Sequence, residues 1–112
     1  MEQTVLPQDT ALFSEMQRLA HDVLPEGSQV WLYGSRARGE ATCDSDWDIL
    51  ILVNKASIKS SDEDDYSFPF VMAGWHHASS VSPMLYTFED WKRRAHTPFY
   101  ANVEHDKIGV AI

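Results

Sequence analysis

The chain has 112 residues, 44% of them hydrophobic and 12% aromatic, which suits one folded domain with a buried core and leaves little room for a second. Its formal net charge of −8 works against tight nonspecific nucleic-acid binding, which depends on Lys and Arg neutralising phosphates. No apolar run is long enough to span a membrane, no leader pattern opens the chain, and the single Cys43 allows no internal disulfide, so a reducing cytoplasm is the expected compartment.

Residues 1–8 are expected to be loosely ordered. From Asp9 or Thr10 an amphipathic helix is predicted to about His21, with Leu12, Met16, Leu19, Ala20 and Val23 on one stripe and Pro25 and Gly27 ending it. Gln29-Val30-Trp31-Leu32-Tyr33 is rich in β-branched and aromatic residues and reads as a strand.

The chemistry lies just beyond that strand. Gly34-Ser35-Arg36-Ala37-Arg38-Gly39 is a turn leading into a short helix, whose unpaired N–H groups and dipole make an anion site. Gly34 lets phosphate oxygens approach the backbone, Ser35 offers a hydroxyl, and Arg36 and Arg38 offer guanidinium groups that fork onto phosphate. Asp46 and Asp48 then stand either side of Trp47 at the head of an apolar run, Ile49 to Val53, which extends a strand over 47–53. Side chains at i and i+2 of a strand share a face, with Cα atoms roughly 6.5–7 Å apart, so the two carboxylates can converge on one point. Two such charges about 4 Å apart repel by on the order of 4 kcal/mol at an effective dielectric near 20, unless a cation relieves them. Mg²⁺ fits, since it takes one or two protein carboxylates together with phosphates and water. A phosphate cradle beside a metal-holding pair points to displacement at phosphorus.

The remaining elements carry weaker signals. A polar loop covers 54–62, and the acidic run Asp62-Glu63-Asp64-Asp65 reads as a solvated loop or helix start. A second helix is predicted over 63–78, kinked or restarted at Pro69, with Phe70, Ala73, Gly74 and His77 on one face. A third strand is predicted over 80–86. Thr87 then caps a helix running through Trp91 to Ala95, with Asp90 at its third position. Thr97-Pro98 opens a further short helix to about Glu104, and Asp106 to Ile112 adds an extended piece. His76 and His77, being adjacent, point to different sides of a helix, while His96 and His105 have no metal-ligand spacing. Trp31, Trp47, Trp75 and Trp91 read as core or partner-contact residues, Trp47 packing behind the two acids. Cys43 has no base nearby and is read as incidental.

The pattern Gly34-Ser35, ten residues, Asp46, one residue, Asp48 resembles the signature of the DNA polymerase β nucleotidyltransferase superfamily. More narrowly, Gly-Ser-Arg-Ala-Arg-Gly followed by Ser-Asp-Trp-Asp-Ile is similar to the minimal nucleotidyltransferases, small proteins often paired as antitoxins with a HEPN-domain toxin. The strong part covers Tyr33 to Val53. The resemblance implies an α/β (α+β) fold with a small mixed β-sheet flanked by helices, agreeing with the helix, strand, strand, helix, strand, helix order read from the sequence. It implies transfer of AMP from ATP, with Mg²⁺ or Mn²⁺, to a hydroxyl acceptor such as a tyrosine of a HEPN-type toxin. It places the metal on Asp46 and Asp48 and the triphosphate on Gly34, Ser35, Arg36 and Arg38. A homo-oligomer is compatible, as is modification of an aminoglycoside-like small molecule, although no acceptor domain is present.

One position departs from the family. Members usually carry a third carboxylate on a later strand opposite the Asp-x-Asp pair, and here that position is Ser82, followed by Pro83. A hydroxyl cannot accept the acceptor's proton as a carboxylate does. Glu89, Asp90 or Glu104 would have to reach the site from a helix, or the chain would be a weak or inactive nucleotide-binding antitoxin that acts by complex formation.

Overall fold

The computed structural model describes residues 6–112. Its centre is a four-stranded mixed sheet built from β1 (Gln29–Tyr33), β2 (Trp47–Val53), β3 (Val81–Thr87) and β4 (Ile108–Ala111), in the spatial order β3-β2-β1-β4. β1 runs antiparallel to both β2 and β4, while β2 and β3 are parallel. Parallel neighbours need a crossover, and the segment Glu63–His76 supplies it. Every residue of β2 from Ile49 to Val53 is buried, as expected of a strand covered on both faces.

Two layers of helix do the covering. On one face, α1 (Ala11–Val23) and α3 (Phe68–His76) lay Leu12, Phe13, Met16, Phe70 and Ala73 against Val30, Leu32, Ile49 and Ile51. On the other, α4 (Phe88–Lys92) and α5 (Pro98–Asp106) bring Trp91 and Val103 onto Leu50 and Leu52. The remaining helix, α2 (Ser35–Arg38), is a single turn between β1 and β2. β3 is an edge strand, and Pro83 sits in it, where a missing backbone donor costs least.

The element boundaries reflect local chemistry. Thr10 caps α1 by accepting the Phe13 N–H, and Thr87 and Thr97 do the same for α4 and α5 through Asp90 and Tyr100. Several expectations need correction. Residues 1–5 of the stretch expected to be loose lie outside the described residues, and Pro7–Asp9 form a 3₁₀ turn. The second helix is two pieces: a π-helical turn over Glu63–Ser67, then α3, with Pro69 in its first turn, where no N–H is required. α4 stops at Lys92, and 93–97 close as hydrogen-bonded turns, Thr97 N–H reaching Arg94 C=O at 2.9 Å. α5 runs on to Asp106, so the last strand begins at Ile108. Asp62 is not solvated: it is buried and accepts the Lys55 ammonium at 2.7 Å and the Lys59 N–H at 2.8 Å. His76 and His77 do not diverge. Both lie beside Glu15, at 3.9 and 3.2 Å.

Among the described residues no helix is long and apolar enough to cross a membrane.

Candidate active site

Register assembles the site. Asp48 on β2 lies opposite Tyr33 of β1 and Ser82 of β3, so the end of β1, the head of β2 and the start of β3 meet at one end of the sheet. Trp47 N–H donates to Ser80 C=O at 2.8 Å and pins that alignment. Asp46 stands just before β2 and is exposed.

Gly34 decides where Asp48 sits. It joins β1 to α2 with φ +77°, a conformation disfavoured for residues with a Cβ. A Cβ built there would lie 2.5 Å from Asp48 Oδ2, so the carboxylate occupies space that only glycine leaves open. The acid thereby lies against Gly34, the N-cap residue of α2, whose first N–H groups have no partner inside the helix. Burial raises the pKa of Asp48 above the ordinary carboxylate value and Asp46 pushes it the same way, while Arg38 partly offsets both. Asp46 is thus near enough to be felt. Beneath them, the Tyr33 hydroxyl is pushed up to about 12 by burial and by the Asp48 charge, so it remains a neutral hydrogen-bonding group at any ordinary pH.

The two arginines are engaged within the protein. Arg36 donates from Nε and Nη2 to Ser45 C=O at 3.1 and 2.8 Å and from Nη2 to Thr42 C=O at 3.3 Å, and its guanidinium lies over the Trp47 ring, 4.6 Å from the centroid. It therefore ties α2 to the 40–46 loop that delivers Asp46. Arg38 donates to Asp106 at 2.7 Å and also lies 3.4 Å from Glu40. Nothing in the sequence marks Asp106 as a partner: it is 68 positions from Arg38 and has no motif spacing.

The carboxylates considered as substitutes for the missing third acid are differently employed. Glu104 accepts from Trp91 Nε1 at 3.0 Å and from Lys107 at 2.8 Å; burial alone would raise its pKa, but these bonds hold it low. Asp90 pairs with Arg93 at 3.1 Å, and Glu89 is exposed on α4. Among the described residues no group of three or more His, Cys, Asp or Glu side chains could hold a metal ion. A two-carboxylate site is what the residues present fit: a half-buried acid with a raised pKa, a second acid repelling it, and a glycine-made recess beside them.

Residues 14–77, more than half of the chain, match the model of the nucleotidyltransferase domain family, and the chain belongs to that family. No curated protein matches it. A solved structure described as a toxin-antitoxin with AMP-PNP has a similar fold, with a TM-score of 0.63 and 18% identity, covering 88% of this chain and 71% of the other.

Proposed function

We propose that the chain, acting as one domain, transfers AMP from ATP to a hydroxyl on a partner protein, a tyrosine of a HEPN-type toxin. The observation that carries this reading is the Asp48 carboxylate seated in the recess left by Gly34, with Asp46 beside it. Asp46 and Asp48 would hold Mg²⁺ or Mn²⁺, which when bound neutralises both acids and the phosphates they face. Ser35 and the free N–H groups of α2 face the triphosphate. Arg38 reaches it by leaving Asp106, and Arg36 keeps the 40–46 loop in place. The adenine nucleotide and the protein partner draw support from the structural neighbour's AMP-PNP and toxin-antitoxin pairing. The exposed thiol of Cys43 suits the cytoplasm.

The test is incubation with ATP, Mg²⁺ and the product of the adjacent gene. The expected result is an adenylyl mass increment on the partner that disappears in the double variant Asp46→Asn/Asp48→Asn. An unmodified partner, or modification that survives the double variant, counts against the proposal.

Ser82 favours a second reading. It faces Asp48 across the β2–β3 pair, where a carboxylate would complete the site and accept a proton. On that reading the chain neutralises its partner by complex formation, and the nucleotide serves stability. Undiminished neutralisation and co-purification by the Asp46→Asn/Asp48→Asn variant would select it.

A further inference from the structure

α3 buries Phe70, Ala73 and Gly74 and turns Phe68, Met72 and Trp75 outward. Those three stand at i, i+4 and i+7, so they form one stripe along the helix. They are 44%, 42% and 60% exposed. The Phe68 and Trp75 rings meet edge to face with centroids 5.8 Å apart, which fixes them as a surface rather than leaving them to move separately. Scattered exposed apolar residues are ordinary, but two aromatics in contact and a methionine on the same stripe of one helix have the composition of an interface core.

Charge says what covers them. Glu63, Asp64 and Asp65 are exposed on the turn that leads into the stripe, and none pairs with a cation among the described residues. A second copy of this chain brings another net −8 and an anionic membrane is repelled likewise, whereas a basic protein surface is attracted. The far end of the stripe lies at the same end of the sheet as the candidate active site but on the other face, since alternation along β2 puts Asp48 with Leu50 and Leu52 on the side of α4 and α5. Gly74, beside Trp75, packs on Val81, and the next residue, Ser82, faces Asp48.

We propose that the outer face of α3 is the docking surface for the partner protein, which presents an apolar patch bordered by Lys and Arg. The inference rests on the partner reading above and adds where that partner sits and what it must offer.

The test is calorimetric titration of the partner encoded beside this chain, at low and high salt. Met72→Asp/Trp75→Asp should weaken binding by roughly 30-fold or more, the loss typical of removing central apolar anchors. Glu63→Lys/Asp64→Lys/Asp65→Lys should weaken it less and flatten its salt dependence. Met72→Asp/Trp75→Asp should melt like the unsubstituted chain, and both variants should keep its stabilisation by ATP with Mg²⁺. Hydrogen exchange of the unsubstituted complex should show protection over 68–76. Full affinity in the Met72→Asp/Trp75→Asp variant, or unchanged exchange over 68–76, overturns the docking surface while leaving the partner reading intact. A dimer of the chain that the same variant dissociates also overturns it, as does binding to phosphatidylglycerol vesicles that the variant abolishes. Failure of the unsubstituted chain to bind the partner overturns both.

Discussion

At the scale of single residues, the site depends on a missing side chain. Gly34 combines a positive φ with contact to the Asp48 carboxylate, so Gly34→Ala brings backbone strain and a steric clash together. The expected cost is on the order of 1–3 kcal/mol in thermal unfolding, with loss of nucleotide-dependent stabilisation. Asp48→Asn should act in the opposite direction on the fold. Burial and Asp46 raise its folded pKa above the unfolded value of about 4, so the folded state binds that proton more tightly. Ionisation therefore destabilises the fold as pH rises from ~4 through the folded pKa. Metal-free Asp48→Asn should melt above the unsubstituted chain at pH 7 and converge with it below pH ~4, as melts across that range will show. Ser82→Asp tests the missing acid. A carboxylate opposite Asp48 should raise transfer rates by ~10²-fold or more, read in single-turnover assays. The glycine, the serine and the aspartate pair were legible in the sequence because they are local. The internal ties of Arg36 and Arg38 were not, since backbone carbonyls of a loop and an aspartate on α5 become their partners only after folding.

At the scale of elements, order and type were readable wherever a cap or an apolar period was present. The three threonine caps and the all-apolar β2 are the clearest cases. Predictions slipped where acids and a proline left the helix type open, giving a π turn before α3, and where capping no longer specified an end, as after Lys92. The close of α3 was also hidden. Ser79 N–H reaches Gly74 C=O at 2.8 Å and Ala78 N–H reaches Trp75 C=O at 3.2 Å, a Schellman turn whose pivot is usually glycine. Ala78 holds that pivot at φ +53°. Ala78→Gly should raise stability by about 0.5–1 kcal/mol in denaturant melts, since a left-handed non-glycine residue carries a larger cost than the glycine's added freedom. A loss of stability would mean that the methyl's contacts matter more than its backbone.

At the scale of the whole molecule, the sheet topology turns a sequence motif into a site. β1 and β2 run antiparallel and β2 and β3 parallel, which brings Tyr33, Asp48 and Ser82 side by side from three separate segments. The first two segments were visible as a pattern and the third through the family resemblance that picked out Ser82, while the register seats Ser82 opposite Asp48. Excess negative charge over the chain disfavours an anionic nucleotide except where backbone donors and a cation counter it, so nucleotide binding and cation binding should be coupled. The most direct measurement is the melting temperature during titration with ATP, with and without Mg²⁺ or Mn²⁺. A two-acid nucleotide site predicts a rise that needs both components, about 2.7 kcal/mol of stabilisation at a ligand concentration 100 times Kd, and its absence in Asp46→Asn/Asp48→Asn. No rise, or an equal rise in that variant, would contradict such a site.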